Sequence, residues 1–337
     1  MSEKDLQGTT WVVTGAAGFI GSHLSVALLG RGATVRALDN LATGKRANLD
    51  VIAEAGQGNF TFVEGSIDDA SKVNEVVAGA DYVLHQAALG SVPRSMADPL
   101  ATHRANVDGF ITVLDAARRA GVKRMVYASS SSVYGDHPEL PKREDRIGEP
   151  LSPYAASKRI NEVYASAYQN AYGFSAIGMR YFNVFGPRQD PEGAYAAVIP
   201  RWFRALHRGE PVLIFGDGET SRDFCHVSNV VQANLKAAQA ELPADAPGYF
   251  NVAVGGRTTL TQLFYLIRDE IAKLHHEVAA AEPVYQEFRA GDVRHSLADI
   301  SQAQRCFGYE PAHTLASGLA DAAPFYESLC EKEAAAR

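Results

Sequence analysis

Trp11-Val12-Val13-Thr14 is an apolar, strand-forming run, and Gly15-Ala16-Ala17-Gly18-Phe19-Ile20-Gly21 follows it without a break. The segment Phe19 to Leu29 then has helical apolar spacing. A strand that turns on glycines into a helix opens a βαβ unit. Such a unit commits the chain to a parallel sheet with helices on its faces. Further strands are expected at Thr34–Leu38, Phe60–Val63, Asp81–His85, Arg124–Ala128 and Ala176–Tyr181, with helical stretches such as Ile111–Ala120 between them. The expected fold is α/β: a Rossmann-type, doubly wound parallel sheet with a smaller C-terminal substrate-binding lobe.

After Gly186 the texture changes. Pro187, Pro191, Gly193, Pro200, Pro211, Gly216 and Gly218 break the chain into shorter pieces, which points to a lobe of loops and insertions. The final EKEAAAR is expected to be a frayed or helical tail without a role. The 337 residues suffice for this plan, and the net charge of -7 argues against nonspecific nucleic-acid binding. An anionic ligand would have to be held by locally placed arginines. No apolar run nears the roughly 20 residues that cross a bilayer, and the start MSEKDLQGTT lacks an apolar signal core. Cys225, Cys306 and Cys330 are far apart and form no CxxC, so no metal site is expected and a reducing cytoplasm is the expected setting.

The glycine spacing has a chemical reason. Gly15 permits a tight turn, Gly18 lets a pyrophosphate approach the backbone, and Gly21 lets the helix lie close to the strand. The helix N-terminus then offers free N–H groups and a positive dipole end to phosphate. Asp39 ends the second strand, where a carboxylate can accept from an adenosine ribose and repel a 2′-phosphate. This favours NAD over NADP, although Arg36, Lys45 and Arg46 nearby leave NADP open. Residues 1–186 are therefore expected to form an NAD-binding domain, to which about 224–257 returns. Residues 187–223 and 258–337 would form the smaller lobe.

LSPYAASK (Leu151–Lys158) places a tyrosine one turn before a lysine. Ser152 suits an N-cap and Pro153 the first helical position, while Gly173 can end the helix. Residues four apart share a helix face, so the Tyr154 phenol and the Lys158 ammonium can converge. The run Ser129-Ser130-Ser131-Ser132 follows an apolar strand, at the end of the sheet where ligands bind in such folds. Tyrosine is a poor base at its reference pKa near 10, but a neighbouring ammonium and a cationic nicotinamide would favour the phenolate. Serine, tyrosine and lysine together suit proton transfer coupled to hydride transfer.

At these residues the chain resembles the extended short-chain dehydrogenase/reductase family. TGAAGFIG, SSSSVYG, the YxxxK helix and RYFNVFGP (Arg180–Pro187) match its pattern in order. HQAALGSVPRS (His85–Ser95), QDPEGAYAAVIP (Gln189–Pro200), GDGETSRDF (Gly216–Phe224) and GDVRHSLAD (Gly291–Asp299) look like bacterial UDP-N-acetylhexosamine 4-epimerases of surface-polysaccharide synthesis.

The resemblance implies a catalytic Ser130, Tyr154 as base and Lys158 as its partner. It places NAD against Gly15, Gly18, Phe19, Ile20, Gly21, Asp39, Asn40, Leu41, Thr43, Gly44, Ser66, Ile67, Gln86, Ala87, Ala88, Asn106, Tyr154, Lys158 and Tyr181. It places a UDP-sugar against Gly90, Ser91, Ser130, Ser131, Ser132, Asn183, Ala197, Val198, Arg222, Arg289, Asp292 and Ser296. Arg222 and Arg289 would clamp the pyrophosphate and Asp292 the uridine ribose. Ser296 would leave room for a 2-N-acetyl group. A homodimer is implied as well. Ser66 departs from the family, whose members usually have Asp at this position against the adenine; weaker adenine contacts are expected unless Asp68 or Asp69 substitutes.

Related activities stay open. A 4,6-dehydratase would have Asp-Glu where Ser131 and Ser132 stand, and a UDP-glucuronate decarboxylase usually has Glu near this run. A 4-epimerase of UDP-N-acetylglucosaminuronate would use the same machinery, with Arg94, His295 or a serine near C6. A non-catalytic NAD sensor would tend to lose Tyr154 or Lys158.

Overall fold

The computed structural model describes residues 5–56, 58–192, 196–288 and 293–335. Its strands are β1 (Thr10–Thr14), β2 (Thr34–Asp39), β3 (Phe60–Glu64), β4 (Tyr82–His85), β5 (Arg124–Ser130), β6 (Ala176–Tyr181), β7 (Val184–Phe185), β8 (Leu213–Phe215), β9 (Ser221–Arg222), β10 (Cys225–His226), β11 (Tyr249–Val252), β12 (Thr258–Thr259) and β13 (Val284–Gln286). Its α-helices are α1 (Phe19–Leu29), α2 (Arg46–Gly56), α3 (Ala70–Val77), α4 (Val92–Ala97), α5 (Pro99–His103), α6 (Gly109–Arg119), α7 (Pro153–Tyr172), α8 (Val198–His207), α9 (Val227–Gln239), α10 (Leu260–Ile271), α11 (Ser301–Phe307) and α12 (Leu315–Ala335).

Seven strands form one sheet in the order β11-β6-β5-β4-β1-β2-β3. All six pairings are parallel. From β1 the chain builds outward through β2 and β3, then crosses back to start β4 on the other side. That reversal opens a crevice beyond the carboxyl ends of β1 and β4. The strands are buried on both faces, and alternate residues feed different cores. Trp11, Val13 and Leu84 pack under α1 and α9, whereas Val12, Val83 and Tyr127 pack under α3 and α6.

The local signals act as expected at α7. Ser152 Oγ accepts the Ala155 N–H at 3.1 Å, Pro153 is the first helical residue, and Gly173 closes the helix at φ 69°. Strand β5 runs beyond Ala128 through Ser130, because Ser129 and Ser130 pair with Arg180 and Tyr181 of β6. The later part of the chain is more ordered than its glycines and prolines suggest. Phe185, Trp202, Phe203, Ile214, Phe264, Ile267 and Tyr326 form a separate core beneath α8, α10 and α12. The tail is also tied down: Glu333 in α12 accepts from Arg208 at 2.5 Å and from Arg204 at 3.3 Å. Up to residue 335 the tail is helical, one of the two forms expected for it.

Candidate active site

A cleft of about 670 Å³ opens at the crevice. Gly15, at φ 69°, could not carry a side chain there, since its Cβ would lie 2.6 Å from Ala87 N. A Cβ on Gly21 would lie 2.1 Å from the Gly15 carbonyl oxygen, so the helix sits directly on the turn. Gly18 is the N-cap of α1 and supplies no side-chain acceptor, which leaves the first N–H groups to a ligand.

Asp39 anchors this turn. One carboxylate oxygen accepts the Ala17 N–H at 2.9 Å and the other the Leu41 N–H at 2.8 Å. Burial pushes its pKa up, and these two N–H groups oppose the shift. The three cations that left NADP open are all engaged elsewhere. Arg36 donates to the Val76 and Ala78 carbonyls, Lys45 pairs with Asp190 at 2.9 Å, and Arg46 pairs with Glu64 at 3.0 Å. Of the two candidates to replace the missing Asp at Ser66, Asp68 lines the cleft, while Asp69 caps α3 by accepting the Ser71 and Lys72 N–H groups.

The reactive end lies between β5 and α7. Ser132 donates its backbone N–H (3.1 Å) and its hydroxyl (2.9 Å) to Ser130 Oγ. Ser130 also acts on the Tyr154 phenol: burial pushes the pKa of Tyr154 above its ordinary value, and the Ser130 side chain pulls it partly back. Lys158 Nζ lies 6.0 Å from the Tyr154 ring centre and donates to the Ala128 carbonyl at 2.8 Å. Burial lowers Lys158 to about 8. Among the protein's own groups, burial is the first cause acting on the phenol and raises it; the expected lowering also involved a bound cationic nicotinamide.

Most of the expected cofactor residues line the cleft: Gly15, Gly18, Phe19, Ile20, Gly21, Asp39, Asn40, Thr43, Ser66, Ile67, Gln86, Ala87, Ala88, Tyr154, Lys158 and Tyr181. Gly90, Ser130 and Asn183 line it too. Tyr181 donates to Gln86 Oε1 at 3.0 Å, which ties β6 to the loop after β4.

Several expected residues lie elsewhere. Asn106 is 1 % exposed and spends its amide on Leu89 and Ser157, so it holds the wall from behind. Leu41 and Gly44 support the glycine turn; a Cβ on Gly44 would meet the Ala17 Cβ at 2.6 Å. Ser91 caps α4 by accepting the Arg94 N–H, and Ser132 is occupied with Ser130. Ser131, Ala197, Val198, Arg222 and Ser296 are also outside the cleft lining. Ala197 is the N-cap of α8 and Val198 its first residue. Ser296 donates its backbone N–H to the Ser221 carbonyl at 3.0 Å, beside the strand that carries Arg222. Arg289 and Asp292 lie outside the described residues.

Sequence reasoning missed Leu38, Ala42, Gly65, Leu89, Ala101, Arg104, Ala105, Ala128, Ser129 and Val184 in the lining. Leu89, Ser129 and Val184 lie inside quoted motifs and were within reach. Arg104 and Ala105 arrive on a wide helical turn, Arg104–Asp108, that no motif announces. Backbone strain was equally hidden. Leu41 (φ 58°), Ser91 (φ 117°) and Asn183 (φ 31°) are all left-handed non-glycine residues, grouped around the cleft and the loops that frame it.

The chain matches the NAD dependent epimerase/dehydratase family over residues 11–253. It is 38 % identical to a UDP-glucose 4-epimerase of Mycolicibacterium smegmatis over 94 % of this chain and 98 % of that one. Among solved structures, it is similar to a UDP-N-acetylglucosamine 4-epimerase from Methanobrevibacter ruminantium in complex with UDP-N-acetylmuramic acid. There the identity is 37 %, the TM-score 0.88, and the coverage 96 % of this chain and 99 % of that chain. A UDP-glucose 4-epimerase of Thermus thermophilus, in complex with NAD, is 33 % identical at a TM-score of 0.80, with coverage of 95 % and 99 %. With NAD as its cofactor, the chain belongs to the NAD dependent epimerase/dehydratase family.

Proposed function

We propose that the protein is a UDP-sugar 4-epimerase acting on N-acetylhexosamines, converting UDP-GlcNAc to UDP-GalNAc for surface-polysaccharide precursors. The observation that carries this reading is the cluster of Ser130, held by Ser132, with Tyr154 and Lys158, set at the end of a cleft that begins at the glycine turn. It is a proton-transfer site beside a dinucleotide cradle.

In this reading Tyr154 takes the proton of the sugar 4-hydroxyl, and Ser130 orients that oxygen. Bound NAD supplies the acceptance of the C4 hydride and its return to the opposite face. Lys158, neutralised only above about 8, supplies positive charge next to the phenol at neutral pH and a donor for the cofactor ribose. Arg222, Arg289 and Asp292 hold the UDP part, while the hexose must turn between the two hydride transfers. Asn183 contributes to the sugar or phosphate contacts. Ser91 and Ser296 keep side-chain volume small around the 2-N-acetyl group. A homodimer, a cytoplasmic setting and the division of the chain at Gly186 belong to the same proposal.

A 4-epimerase of UDP-N-acetylglucosaminuronate is the second reading. It is favoured by His295, which burial first and then the guanidinium groups of Arg257, Arg294 and Arg222 hold below its ordinary value, with Asp217, paired to Arg294 at 2.5 Å, acting the other way. Such surroundings suit an added carboxylate.

Purified protein without added NAD, followed by proton NMR with UDP-GlcNAc, its uronate and UDP-Glc in separate tubes, tests both readings. Galacto-configured anomeric signals from UDP-GlcNAc are the expected result. Faster turnover of the uronate moves the assignment to the second reading. Conversion of UDP-Glc alone rejects the role given to Ser296. No conversion of any of them, even with NAD added, rejects the epimerase.

A further inference from the structure

Behind the reactive end lies a buried ion pair that the chemistry above does not use. Tyr154, Lys158 and Glu162 follow one another at four-residue intervals along α7 and share one face. Glu162 and Arg180 both have side chains that are 0 % exposed. Arg180 donates to both carboxylate oxygens, at 2.8 and 2.9 Å. Arg159 adds a third donor at 3.0 Å. The remaining Arg180 contacts are the Glu144 carbonyl at 3.1 Å and the rings of Tyr134 and Tyr249, 4.8 and 4.1 Å from its guanidinium carbon.

Stability alone is a poor account of this pair. Removing two charges from water costs several kcal/mol each, and an apolar pair of the same shape often does as well or better. The carboxylate does one thing that an apolar group cannot: it accepts the Ser129 hydroxyl at 2.8 Å. Ser129 is the neighbour of Ser130 and lies opposite Arg180 in the β5–β6 register. The end of β5 is thus tied to α7 at two consecutive residues, through Ala128 to Lys158 and through Ser129 to Glu162. Hydrogen bonds in such buried surroundings hold geometry tightly, because a misplaced polar group there has no water to turn to.

We infer that Glu162, held in place by Arg180, is a positioning residue: by accepting the Ser129 hydroxyl it fixes the end of β5 against α7 and so sets the Ser130–Tyr154 contact. The inference rests on the proposed role of Tyr154 as base.

Ser129→Ala tests it, since that change removes the tie and leaves the ion pair and all charges intact. The readouts are kcat, KM for the UDP-sugar, and the ionisation midpoint of Tyr154 in the NAD-bound protein. The midpoint is followed as the ultraviolet phenolate absorbance of each variant less that of its Tyr154→Phe counterpart, without substrate. In Ser129→Ala, kcat should fall about tenfold with KM within about twofold. The Tyr154 midpoint should rise, because the Ser130 hydroxyl that favours the phenolate is less well placed. Ser129→Thr, which keeps the hydroxyl, should restore both. A Tyr154 midpoint unchanged in Ser129→Ala overturns the inference, whether or not kcat falls; a fall in kcat alone would assign Ser129 to the cleft itself. If the wild type turns over no UDP-hexose, the functional reading fails, and the midpoint still decides the positioning role.

Discussion

Lys158 Nζ donates to the Ala128 carbonyl at 2.8 Å, so the lysine of the YxxxK helix is tied to the strand rather than to its tyrosine. The ammonium is 3 % exposed by residue and lies near His85, whose protonation it opposes. Its position makes it a fixed positive charge at the end of β5, available to the phenol only through space.

That arrangement separates two losses. Tyr154→Phe keeps the ring and removes the proton acceptor, so kcat should fall by about 10²–10⁴-fold while UDP-sugar affinity, measured by calorimetry, stays within about threefold. Lys158→Met should lower kcat as well, and should also reduce the NAD that survives desalting. A Tyr154→Phe enzyme with near-normal kcat would reject the base assignment.

Gly21 has no room for a methyl group. Its Cβ would be 2.1 Å from the Gly15 carbonyl oxygen, a backbone atom that cannot swing aside, so α1 would have to move off the turn. Gly21→Ala should cost about 1–3 kcal/mol of stability, the range for overpacking. It should also lower bound NAD, because the N–H groups at the helix start shift with the helix. Thermal unfolding and the absorbance of the desalted protein measure the two effects. Unaltered NAD content in a folded variant would count against the placement of the pyrophosphate at this turn.

His85 makes stability depend on pH. Burial, with Lys158 adding to it, lowers the imidazole from 6.5 to about 3, while Thr14 Oγ1 holds its Nδ1 at 2.8 Å. Between these values the unfolded chain binds a proton that the folded chain does not, so unfolding is favoured as pH falls. The contribution is fully present above pH 6.5 and is lost as pH drops toward 3. Urea unfolding at stepped pH should show that slope, and His85→Gln should flatten it. An identical slope in the variant would assign the acid sensitivity to other groups, such as His23, which is also lowered to about 3.

What the sequence determined by itself was local. The strand-turn-helix at Trp11–Leu29, the parallel α/β order and the α7 cap at Ser152 and Pro153 follow from periodicity, glycine spacing and capping chemistry, all of which act within a few residues. The sequence likewise placed Tyr154 and Lys158 on one helix face. What only the tertiary structure decided involves partners far apart in the chain. Asp39 holds the glycine turn through Ala17, Asn106 serves Leu89 and Ser157 rather than the cleft, and Ser132 works on Ser130. The helical core of the later lobe was hidden for the same reason: Phe185, Trp202, Phe264 and Tyr326 meet only in space. Hydrogen bonds and side-chain packing are satisfied by whichever groups the fold brings together, and burial, which raised Tyr154 and lowered Lys158, is a property of that assembled environment.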